Sequence, residues 1–180
     1  MPSRHLDPDQ ARRYAVHRYD FNKKSLAGRV VLLPGGASGL GAAIAALLVQ
    51  DGAIPVVGYR SNRGNALAFQ QRVQDLYGGL VHLVEGDVSL PDVRKRYIED
   101  ALAVKGELYG VDALTGAPAR VKGGELDGAL LHASFAANFE ARVLRARASA
   151  EEMLRRDTHG SIILVSSMQG VYPFEGSLAY

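Results

Sequence analysis

Apolar and polar positions in this chain fall into two kinds of block, and the blocks alternate. Short apolar runs without polar interruption, such as Val30-Val31-Leu32-Leu33, precede longer stretches where apolar residues recur every three or four positions. A continuous short run fits a strand buried on both faces. Recurrence every three or four positions fits a helix with one buried stripe. The pattern predicts a first strand over Val30–Leu33 and a helix over Leu40–Gln50 that buries Leu40, Ile44, Leu47 and Leu48. A second strand, Ile54–Tyr59, tolerates Pro55 only near its start. A helix over Arg63–Tyr77 aligns Ala66, Phe69, Val73 and Leu76, and a third strand covers Leu80–Val84. Ser89, Pro91 and Asp92 signal the start of the next helix, which buries Val93, Tyr97, Ile98 and Ala101. A fourth strand is predicted at Val111–Thr115, a loop at Pro118–Gly128 and a fifth strand at Ser161–Val165. Between loop and last strand, Phe135, Phe139, Val143, Ala146, Ala150 and Leu154 keep helical spacing.

Strands and helices that alternate in this way predict an α/β fold with a doubly wound parallel sheet. Right-handed crossovers make 3-2-1-4-5 the natural strand order. Residues 1–27 read as an N-terminal extension with a short helix over Ala11–Tyr19, and residues 28–180 as one domain. No internal repeat exists beyond the strand–helix rhythm.

Composition narrows the class. Hydrophobic residues make up 47% of the 180, too many for a disordered chain, and no apolar run is long enough to span a membrane. Cysteine is absent, which excludes disulfides and thiolate metal sites and fits a reducing cytoplasm. The polar N-terminus lacks the apolar core of a signal peptide, so a cytoplasmic location is expected. The net charge of +2 predicts no particular partner. Residues 1–30 hold seven basic side chains against three acidic ones; this reads as a solvated or subunit-packed extension before a nucleic-acid arm. His5, His17, His82, His132 and His159 are scattered and suggest no metal site. Neither nucleic acid nor membrane is expected as a partner.

The first strand runs straight into Pro34-Gly35-Gly36-Ala37-Ser38-Gly39-Leu40-Gly41. A glycine-rich turn lets a phosphate approach the backbone, and the helix behind it offers free N–H groups and a positive dipole end. This is a place for a pyrophosphate, held by Gly35, Ser38, Gly39, Leu40 and Gly41. The spacing G-x-x-x-G-x-G resembles that of the short-chain dehydrogenase/reductase family, with Pro34 where the family usually has threonine. The resemblance continues in Gly160-Ser161-Ile162-Ile163-Leu164-Val165-Ser166-Ser167, in Tyr180 thirteen positions after Ser167, and in Asn138.

The resemblance implies a Rossmann-like fold and a set of roles. Ser167 would hold a substrate oxygen, Tyr180 would exchange its proton, and Asn138 would support a relay water. The end of the second strand would face the adenosine ribose. It reads Tyr59-Arg60-Ser61 with no carboxylate, which favours NADP, with NAD as the alternative. Asp87 and Val88 match the pair that borders the adenine; Asp87 serves equally well to bond the start of its own turn. The family's Asn-Asn-Ala-Gly is replaced by Gly116-Ala117-Pro118-Ala119, where Gly116 still lets a cofactor approach.

The family's lysine would stand four positions past Tyr180, where this sequence stops, so the 180 residues are expected to be part of a longer chain. The expected function is NADP(H)-dependent interconversion of a carbonyl and an alcohol on a small molecule, by a dimer or tetramer of the full-length form. A catalytically incomplete nucleotide-binding or assembly module is the alternative. A methyltransferase is disfavoured by the Ser167 and Tyr180 pair, and a hydrolase by the lack of a G-x-S-x-G elbow around Ser167. Met168, Gln169, Tyr172 and Phe174 hint at a partly apolar substrate.

Overall fold

In the computed structural model, Val30–Pro34 is buried at all five positions and forms the central strand, β1. The described residues are 8–16, 20, 23–116, 125–172 and 174–177. Helix α1 spans Pro8–Val16, starting before the expected Ala11; the rest of that prediction lies outside the described residues. After β1 come α2 (Gly39–Gln50), β2 (Ile54–Tyr59), α3 (Arg63–Tyr77), β3 (His82–Glu85), α4 (Pro91–Lys105) and β4 (Gly110–Ala113). A long helix follows in three pieces: α5 (Gly128–Phe135), a π-helical turn (Ala136–Glu140) and α6 (Ala141–Arg155). Strand β5 (Ser161–Leu164) and a 3₁₀ turn (Met168–Gly170) close the described chain.

All pairings are parallel and the order is β3-β2-β1-β4-β5, as the crossover rule predicts. Alternate residues of β1 feed two cores. Val30 and Leu32 pack with Tyr97, Ile98, Ala101 and Met153 on one face. Val31 and Leu33 pack with Ala45, Val49, Phe69 and Val73 on the other. Pro55 is harmless for a geometric reason. The Ile54 N–H donates to Arg29 O toward β1, so position 55 points its nitrogen the other way, and pairing with β3 begins only at Val56.

Several expectations need correction. Helix α2 buries Gly41, Ala45 and Val49, while Leu40 is 64% exposed and Leu47 is exposed too. Its sequence is apolar on every side, so spacing alone could not choose a face; the small residues win because they let the helix approach the sheet closely. Leu76 of α3 is exposed, although Ala66, Phe69 and Val73 are buried as expected. Strand β3 lies one or two residues later than predicted, and β4 one or two earlier. Strand β5 is an edge in the described chain, with Ile163 and Leu164 exposed, so its apolar run is not covered on both faces. On the long helix, α6 buries Ala141, Arg145, Ser149 and Met153, while Phe135, Phe139, Val143 and Leu154 are exposed.

Candidate functional site

The glycine turn between β1 and α2 is shaped by close packing at one glycine and open space at another. A Cβ on Gly41 would come within 2.6 Å of Gly35 O, so the first turn of α2 can lie against the loop only as glycine. Gly39 has φ +51° and nothing within 4 Å of the position its Cβ would take. A side chain there would be strained and would fill open space directly before the helix. Ser38 is the N-cap in extended conformation, yet its side chain makes no capping bond. The first N–H groups of α2 therefore lack both intrahelical and side-chain acceptors. N–H groups of this kind at a helix start suit an anion, and the turn leaves room for a pyrophosphate.

The turn opens into a cleft of about 800 Å³ at the carboxyl ends of the strands. That is the position at which open α/β sheets hold ligands. Gly35, Ser38, Leu40, Gly41, Tyr59, Arg60, Ser61, Asp87, Val88 and Gly116 all line it, so ten of the eleven expected cofactor residues meet in one place. Gly39 is not among the lining residues, and it has no side chain to present.

At one end of the cleft, Asn62 caps α3 by accepting from Asn65 N at 3.0 Å, with Arg60 and Ser61 just before it. The Tyr59 hydroxyl donates to Glu85 Oε2 at 2.9 Å across β2 and β3. Asp87 Oδ1 accepts from Ser89 N at 2.9 Å. Its bonds to Ser89, and then the charge of Arg60, hold the Asp87 carboxyl below the usual range. Asp87 thus bonds its own turn and lines the cleft as well. Tyr97 lies beneath, with its hydroxyl 3.1 Å from both Val84 O and Gly86 O. Burial pushes its phenol up to about 12.

At the other end stand Thr115, Gly116, Ala137, Arg142, Val165 and Ser166. Asn138 sits in the π-helical turn, donates from Nδ2 to Ser134 Oγ at 3.0 Å, and holds Oδ1 close over Gly116. Such π-turns recur at functional sites because the widened turn redirects one side chain. Ser166 lines the cleft, whereas Ser167 starts the 3₁₀ turn and accepts from Gln169 N at 3.2 Å. Tyr180 lies outside the described residues.

Sequence reasoning missed Arg142, Thr115 and the cleft-lining role of Tyr97. The spacing of four between Asn138 and Arg142 puts both on one side of the helix and was the available signal for Arg142. Among the described residues, no group of three or more histidines and carboxylates could hold a metal ion. None of the described helices is long and apolar enough to cross a membrane.

A parallel sheet in this order, with a glycine turn at its first crossover, places the chain in the Rossmann-like doubly wound class. The short chain dehydrogenase family model matches residues 29–180, and the chain belongs to that family. An L-rhamnose-1-dehydrogenase of Scheffersomyces stipitis is 28% identical over 81% of this chain and 57% of its own length. An L-rhamnose 1-dehydrogenase (NAD(P)(+)) of Sphingomonas is 26% identical over 82% of this chain and 58% of its own. Among solved structures, a 3-oxoacyl (acyl-carrier-protein) reductase of Agrobacterium tumefaciens, with NADP bound, superposes with a TM-score of 0.78 at 25% identity. That match covers 93% of this chain and 63% of the reductase. This chain therefore spans about three-fifths of the length of the proteins it resembles.

Proposed function

We propose that the protein is an NADP(H)-dependent oxidoreductase that interconverts a carbonyl and an alcohol on a small molecule. The observation that carries this reading is one cleft lined by the glycine turn at the start of α2, by Arg60 just beyond β2, and by Thr115 and Ser166 beyond β4 and β5. The relatives' names join a sugar dehydrogenase to an acyl-chain reductase, and what these share is hydride exchange at an oxygen-bearing carbon.

A bound nicotinamide dinucleotide would supply the hydride. Gly35, Ser38, Gly39, Leu40 and Gly41 would bind its pyrophosphate through backbone N–H groups. Tyr59, Arg60 and Ser61 would face the adenosine ribose, and a guanidinium there pairs with a 2′-phosphate. Asp87 and Val88 would border the adenine, and Gly116 would leave room for the far half. Ser167 would orient the substrate oxygen by hydrogen bonding, which requires its hydroxyl to serve both Gln169 N and the substrate. Tyr180 would exchange the proton with that oxygen. A free phenol titrates near about 10, so neighbouring positive charge must lower it. Asn138 would hold a relay water.

The test is turnover. NADPH-dependent reduction of a carbonyl panel, and oxidation of the matching alcohols and aldoses, should be measured on the native chain bearing this sequence. Activity that falls by at least about a hundredfold in Ser167→Ala and Tyr180→Phe supports the assignment. Activity unchanged in both contradicts it.

A further inference from the structure

Arg142 is half-buried on α6, and its guanidinium lies across the end of the sheet. Nε donates to Thr115 O at 2.5 Å, and Nη1 donates to Val165 O. The ladder between β4 and β5 ends at the pair Ala113 and Leu164. Both accepting carbonyls therefore lie just past the last paired residues, where a backbone acceptor needs another donor. The third nitrogen, Nη2, covers Gly116. A Cβ on that glycine would run into Nη2 and would come within 2.8 Å of Asn138 Oδ1.

Arg145 approaches Thr115 through its side chain. It is fully buried, and both terminal nitrogens stand 3.4 Å from the Thr115 hydroxyl. Burial, and then the charge of Arg142, push its guanidinium down to about 10. Two neighbouring cations are unfavourable, the more so when one is buried. The nearby Asp112 carboxylate favours the charged form of Arg145 and offsets part of that cost.

We propose that Arg142 is a positioning residue: it clips the ends of β4 and β5 together and fixes the floor of the cleft. Gly116 is then glycine because the guanidinium occupies the space its side chain would need. Arginine suits this role because its planar fork reaches two carbonyls at once, which the single ammonium of lysine does with poorer geometry. The clip sets the distance between the loop after β4 and the serines after β5, so it controls how the cleft receives its ligand. Only this last consequence rests on the dinucleotide reading; the clip itself is a property of the sheet.

The pairing of Arg142 with Gly116 gives a test by compensation. Gly116→Asn, Arg142→Val, Arg142→Lys and the double variant Gly116→Asn/Arg142→Val are compared with the unmodified protein. The readouts are melting temperature and NADPH affinity, followed by the dinucleotide's own fluorescence. Each single change, Arg142→Lys included, should weaken NADPH binding about tenfold and lower the melting temperature by about 3–6 °C. The double variant should regain most of the melting temperature lost in the single variants. Additive losses of melting temperature in the double variant overturn the proposal. So does an Arg142→Val protein that matches the original, or an Arg142→Lys protein that keeps full affinity, since charge alone would then suffice. If the single variants do not fold, a folded double variant supports the clip and an unfolded one overturns it. If the unmodified protein does not bind NADPH, the dinucleotide reading fails by itself. The melting temperatures then decide the clip by the same rule: compensation supports it and additivity overturns it.

Discussion

Arg60 is the residue on which cofactor choice turns in this account. It follows directly on β2, lines the cleft, and lies close enough to Asp87 to help depress that carboxyl. A 2′-phosphate beside it would gain a charge-assisted bond worth about 1.5–3 kcal/mol. Arg60→Ala should therefore weaken NADPH by about 10- to 150-fold and NADH by less than about threefold. Competitive titration of both dinucleotides checks this, and equal losses would contradict the assignment. Arg60 was legible in the sequence because a motif placed the end of β2 at the ribose. Arg142 and Arg145 were not. Arg142, Arg145 and Arg147 look alike as helix charges, yet Arg145 is fully buried and Arg147 is exposed in an ion pair with Glu151. Which arginine faces the sheet depends on the rotation of the helix, and charge spacing does not state that.

At the scale of the element, α4 supports the cleft from below through Tyr97. Its phenol sits against the carbonyls that end β3, and Gly58 of β2 has no side chain because a Cβ would run into the Tyr97 ring. Tyr97→Phe should cost about 1–3 kcal/mol at neutral pH, since buried carbonyls lose a donor. The pH dependence has a definite sign. The folded phenol titrates at about 12 and the unfolded one near about 10. Between these values the folded state holds the proton that the unfolded state has released. Stability is thus fully present below about pH 10 and falls as pH rises to about 12, by about 2–3 kcal/mol. Urea unfolding across that range should show the fall in the original protein and a shallower one in Tyr97→Phe; parallel curves would contradict the assignment.

Element order and sheet topology were legible because strand and helix periods differ so plainly along this chain. The buried face of α2 was only partly legible: Ile44 and Leu48 pack against the core as expected, but Leu40 and Leu47 are exposed while Gly41, Ala45 and Val49 are buried, and only contact with the sheet decides that. The π-turn under Asn138 carries no periodic signal either. One extra residue in a turn leaves the apolar spacing of its neighbours nearly unchanged.

At the scale of the whole molecule, large apolar side chains are exposed among the described residues. Phe135 and Phe139 are each 55% exposed, their rings 4.9 Å apart, and Val143 continues the stripe one turn on. Strand β5 forms an edge of the described sheet, with Ile163 and Leu164 exposed. Exposed apolar area of this kind favours association, and unpaired strand edges add to it. We expect concentration-dependent self-association of the 180-residue chain, reduced in Phe135→Ser/Phe139→Ser. Light scattering after size exclusion checks it; a monomer at every concentration would count against it.

The central claim is that the cleft behind β1 is a dinucleotide site, and it is tested most directly by titrating NADPH into the original protein and into Gly39→Val. At Gly39 a side chain meets no protein atom but enters the space before α2, so the fold should survive with a modest backbone cost of about 1–2 kcal/mol. The account predicts saturable binding by the original protein and at least about a hundredfold weaker binding by the folded variant. Equal affinity in the two proteins, with circular dichroism showing both folded, would contradict it.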